Sequence, residues 1–124
     1  MPVHHFARPD TAKKIRIVNA DNGLEATDQT GEPLTITLGT IGRRLCSQAL
    51  ADAKLDAVEA ADLRSKLDGP PGPVEFTALE HAALRALISV KGGPKLGPLA
   101  LHVLATRPVV DYLRALHDAP TTRP

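Results

Sequence analysis

Leu34-Thr35-Ile36-Thr37-Leu38-Gly39-Thr40-Ile41-Gly42-Arg43-Arg44-Leu45 passes from a two-residue period to a helical one within a few positions. Leu34, Ile36 and Leu38 share one face of an extended segment and Thr35 and Thr37 the other. The hydroxyl of Thr40 is placed to accept a bond from an orphan amide of the turn that follows. The stretch reads as strand into helix, with sheet or tail before it and mostly helix after it.

Upstream, Ile15 and Ile17 alternate with Lys14 and Arg16, the pattern of a half-buried strand with a basic outer face. Asn19 to Pro33 is polar, with turn signals at Asp21-Asn22-Gly23 and Thr30-Gly31-Glu32-Pro33, and predicts a hairpin or small meander closing onto Leu34–Leu38. Residues 1–12 carry Pro2, Pro9 and a histidine pair without periodicity, and read as a tail.

Downstream, Ile41, Leu45, Ala49 and Ala53, with Cys46 and Leu50 beside them, fall on one helical face, and no Gly or Pro occurs between Arg43 and Asp68. Two helices with a bend near residues 52–56 are expected. Gly69-Pro70-Pro71-Gly72-Pro73 stops the helix as a stiff loop, since proline lacks the amide donor. After a short extended Val74–Phe76, Thr77-Ala78-Leu79-Glu80 is a capping box. Leu79, Ala83, Leu84, Leu87, Ile88 and Val90 predict a helix buried along one side, ending at Gly92-Gly93-Pro94. A last helical region over 97–117 is interrupted at Pro108, which fits the first turn of a segment capped by Thr106 or Arg107 and facing Val109, Tyr112, Leu113 and Leu116 inward. Residues 119–124 read as a second tail. The organisation expected is a single α+β domain over 13–118, a small N-terminal antiparallel sheet or hairpin packed against three to four helices.

The chain has 124 residues, of which 43% are hydrophobic and 23% charged, the composition of one folded domain. Phe6, Phe76 and Tyr112 are its only aromatic residues, so the core must rest on Leu, Ile, Val and Ala. Fifteen basic and fourteen acidic residues give a net charge of +1 with no strongly basic segment, which argues against a nucleic-acid partner. The longest apolar run, Leu99 to Ala105, contains His102 and is too short to cross a bilayer, so no membrane role is expected.

Candidate chemistry is sparse. Thr40, Arg43 and Arg44 stand at a helix start among glycines, an anion-binding arrangement that lacks the spacing of a P-loop or a dinucleotide fingerprint. Asp52, Asp56, Glu59 and Asp62 recur at near-helical spacing, as a solvated face or as a contact surface for a basic partner. Histidines at 4, 5, 81, 102 and 117 show no ligand spacing and Cys46 is single, so neither a metal nor another cofactor is expected. No Ser/His/Asp or Cys/His set can be drawn from the sequence, and the chain reads as no enzyme.

Across residues 13 to about 118 the order of elements resembles a family of small proteins encoded by tailed bacteriophages and prophages. The likeness lies in the turn Gly31-Glu32-Pro33-Leu34, the segment Leu34-Thr35-Ile36-Thr37-Leu38-Gly39, Leu45 to Leu50, the helix start Phe76-Thr77-Ala78-Leu79-Glu80, and Val109 to Leu116. The Ala-rich middle and Pro108 depart from the pattern. The resemblance implies a phage protein acting through protein–protein contacts as a virion component or assembly factor. The alternative is an intracellular, anti-CRISPR-like inhibitor of a host defence or regulatory protein, with the Asp52–Asp62 carboxylates on a basic surface. Either role places the chain in the virion or host cytoplasm, with a phage or host protein, or a second copy of itself, as partner.

Overall fold

The computed structural model describes residues 3–121. Its elements, in chain order, are β1 (His4–Arg8), β2 (Lys14–Arg16), β3 (Thr35–Thr37), α1 (Leu38–Ala51), α2 (Ala57–Leu67), β4 (Gly72–Phe76), α3 (Ala78–Ile88), α4 (Ala100–Leu104) and α5 (Arg107–His117). The class is α+β, and the expected sheet and helices are present.

Helix α1 begins earlier than the sequence suggests. Leu38 is already helical, and Thr37, not Thr40, is the N-cap, its hydroxyl accepting from the Thr40 amide at 3.2 Å. Gly39 makes the early start possible: its amide donates to Thr11 O at 3.0 Å, and a Cβ there would lie 3.1 Å from the same oxygen. The chain turns between α1 and α2 at Ala53, which has φ 55°. Asp56 then caps α2 in a reciprocal capping box with Glu59, which is the bend expected near residues 52–56.

Two short antiparallel sheets share the helices. In one, β2 pairs with β3, Ile15 opposite Ile36, and bridges at Val18–Glu25 and Thr27–Pro33 extend the pairing through the expected meander. In the other, β1 pairs with β4 from His4–Phe76 to Arg8–Gly72.

This second sheet corrects the two expected tails. Residues 4–8 are a strand whose Phe6 is buried, and only Met1 and Pro2 of the expected N-terminal tail lie outside the described residues. At the other end Ala119 is buried and Pro120 O accepts from the His5 amide at 2.8 Å, while Thr122–Pro124 lie outside the described residues. Gly72 and Pro73, read as loop, open β4; a two-stranded sheet consists of edge strands, where proline is tolerated. Arg8 closes the arrangement by donating to the carbonyls of Lys66, Asp68 and Pro70 at the end of α2.

The core is the aliphatic one expected, with Ile41, Leu45, Leu63, Leu84, Leu96, Val103, Val109 and Leu116 fully buried. All three aromatic residues nevertheless meet in it. Phe6 stacks on Phe76 at 5.6 Å and meets Tyr112 edge-on at 6.0 Å, so the sheet β1–β4 is fastened to α5 by most of the chain's aromatic surface. The capping box at Thr77 and Glu80 forms as expected, but Leu79 and Val90 are about half exposed. Helix α3 ends at Ile88, which leaves Val90 in the following turn, and Glu80 and His81 take the buried positions beside Leu79.

Candidate functional site

Of the expected anion site, the structure brings Thr40 and Arg43 together but not Arg44. The Thr40 hydroxyl bonds Thr37 and accepts from Arg43 Nη2 at 3.1 Å, and Arg43 Nη1 faces Asp68 at 3.4 Å. Arg44 points elsewhere, donating to Leu96 O and so tying the loop before α4 to α1. The first-turn amides of Gly39 and Thr40 already have partners, and a carboxylate stands beside Arg43, so the charge that would attract an anion is largely balanced.

The four carboxylates proposed as an acidic face divide by role. Asp52 ends α1, where it accepts from Gln48 at 3.4 Å. Asp56 and Glu59 cap α2 by bonding each other's backbone amides at 2.8 and 3.0 Å. Asp62, with Glu59, lines a groove of about 480 Å³ whose other walls include Arg8, Lys66 and Leu79. Lys66 bonds the buried Glu80 carboxylate there at 2.5 Å, so the surface around Asp62 is of mixed charge.

The structure also gathers residues that the sequence keeps apart. Helices α3 and α5 end side by side, and His117 Nε2 lies 2.9 Å from Ser89 Oγ while His117 Nδ1 lies 2.7 Å from Asp118 Oδ1. These are the distances of a nucleophile, a base and an orienting acid. The surroundings do not complete such a site. Both helices present their carboxyl ends, whose dipoles oppose a developing oxyanion. The Ser89 and Asp118 amides donate to Arg85 O and Arg114 O, each at 2.9 Å, and the Asp118 side chain is 64% exposed. The His117 hydrogen bond holds the Asp118 carboxyl below its ordinary range. The chain of bonds is therefore a staple between two helix ends. Behind it His81 donates to His117 O at 3.0 Å and stacks on His4.

A second groove, of about 730 Å³, runs between the β1–β4 sheet and the carboxyl end of α5. Phe6, Ala7, Pro73, Val74, Ala115 and Pro120 give it an apolar lining. Glu75 and Asp118 put carboxylates on it, and His5 stands 3.7 Å from Glu75. This groove could not be read from the sequence, because His5, Phe6, Ala7, Pro73 and Pro120 of its walls lie in the two expected tails and an expected loop. For Ser89, His117 and Asp118, the adjacency of the last two was the whole local signal.

Among the described residues no three or more of His, Cys, Asp and Glu are grouped to hold a metal ion, and no helix is long and apolar enough to cross a membrane. Comparison with protein-family models, with curated proteins and with solved structures finds no match.

Proposed function

We propose that the protein acts without catalysis, through protein–protein contacts, as a virion component or assembly factor of a tailed bacteriophage. The phage setting comes from the resemblance in the order of elements and motifs. The observation that carries the contact role is the 730 Å³ groove over β1–β4. Its apolar lining gains by being covered, and its two carboxylates favour an occupant that carries a basic residue beside an apolar anchor. The partner that fits is a segment of a phage structural protein of that composition. The inhibitor reading has less support, since Asp56 and Glu59 already serve as helix caps.

The test is to purify particles from a producing host through a density gradient and quantify the chain by mass spectrometry against the major structural proteins. A constant fractional ratio is expected. Absence from particles, with the chain abundant in the lysate, overturns the virion role and directs the search to soluble complexes, which an assembly factor or an inhibitor would form. In either fraction, Glu75→Gln with Asp118→Asn weakens the contact if the groove makes it.

A further inference from the structure

Imidazoles hold β1 and the segment after α5 against α3. The ring of His4 lies on that of His81 with centroids 3.6 Å and planes 17° apart. Each ring commits one nitrogen to a backbone carbonyl, His4 Nδ1 to Ala119 O at 2.7 Å and His81 Nε2 to His117 O at 3.0 Å. A carbonyl only accepts, so those nitrogens carry the protons and each neutral ring keeps one bare nitrogen.

The groups that act on His81 are His4 from β1, Arg85 from its own helix and His117 from α5, all of them cations when charged. The nearby carboxylates have partners of their own. Glu80 is bonded to Lys66 and to the Thr77 amide, Asp118 to His117, and Glu75 faces His5. One imidazolium over a neutral ring is a tolerable cation–π contact. Two imidazolium rings in this stack, one of them on a buried residue, repel in a poorly solvated place.

We propose that the stacked His4–His81 pair is an acid-operated latch, which clamps β1 and the C-terminal segment to α3 when both rings are neutral and releases β1 when both are charged. Because His5, Phe6 and Ala7 form one wall of the 730 Å³ groove, acid also dismantles that groove. The latch stands independently of what the groove holds.

Amide hydrogen exchange of the intact chain, read by mass spectrometry at about pH 7.5 and about pH 5 and corrected for intrinsic rates, tests it. On acidification, peptides covering His4–Arg8 and Gly72–Phe76 are expected to lose about tenfold or more protection relative to peptides from α1. His4→Phe keeps a flat ring on His81 but cannot charge, and it should reduce that relative loss to less than about threefold. His81→Gln, which retains a donor for His117 O, should do the same and serves if the first variant does not fold. Equal loss in β1 and α1 of the unmodified chain overturns the latch, as does an unchanged β1-specific loss in either variant.

Discussion

The Tyr112 hydroxyl is buried beside Gly42 and has no hydrogen-bond partner among the described residues, and loss of hydration pushes its pKa upward. A buried donor without a partner has lost its bonds to water and gained none, so removing it costs little. Tyr112→Phe should leave stability unchanged or raise it by up to about 1 kcal/mol in urea denaturation. A loss larger than that would mean that the hydroxyl is bonded in solution. Cys46 shows a related effect, since burial pushes its thiol up to about 11. A thiol held protonated inside α1 is a packing group, and it should react with a disulfide reagent only as the protein unfolds. Ser89 provides the corresponding check on the non-catalytic role proposed above. It has a base at 2.9 Å but two helix carboxyl ends around it. A fluorophosphonate probe should label it no faster than it labels the unfolded chain; selective labelling that His117→Ala abolishes would restore a nucleophilic role.

Helices α2 and α3 start with the same device built from different residues. Asp56 with Glu59 and Thr77 with Glu80 each satisfy two orphan amides. Asp56→Ala and Thr77→Ala should each cost about 1 kcal/mol in denaturant titrations. Asp62→Ala, on an exposed position of α2, should stay within about 0.5 kcal/mol. Equal effects at Asp56 and Asp62 would contradict the division of the acidic series into caps and surface. The contrast shows what was legible beforehand. Thr77-x-x-Glu80 stands out between an extended segment and an apolar run, whereas Asp56-x-x-Glu59 is the same signal embedded in an acidic, Ala-rich stretch, where its spacing reads equally well as a solvated face. Local period revealed the two helices around residues 52–56 and the inward residues of α5. It was silent on β1, which buries a single residue, Phe6, fully enough to count, and whose partner lies far along the chain. The groove is built on β1, so it was invisible for the same reason.

At the scale of the whole molecule β1 meets the segment after α5: His4 bonds Ala119, 115 residues away in sequence, and Phe6 joins Phe76 and Tyr112. Phe6→Ala should therefore cost about 3–5 kcal/mol, a large share of a small domain's stability, where a tail residue would cost nothing. The same closure sets the response to acid. Burial is the leading cause that holds His81 below its ordinary 6.5, opposed by its bond to His117 O and assisted by His4, Arg85 and His117. In the unfolded chain the ring titrates near 6.5, so just below that value the unfolded state binds more protons than the folded one and stability falls with the pH. The contribution is fully present above 6.5 and is lost as the pH drops from there through the folded value. The lowered carboxyls of Asp28 and Asp118 act in the same direction but only near and below 3.8, and both are solvated. Urea midpoints should thus hold level above about pH 7 and decline between about pH 6.5 and about pH 5, well before the carboxylates begin to titrate. His81→Gln should remove that upper decline and leave the lower one. A level midpoint down to about pH 4.5 in the unmodified protein would show instead that His81 finds solvent or a counter-charge without loosening the contacts between β1, α3 and α5.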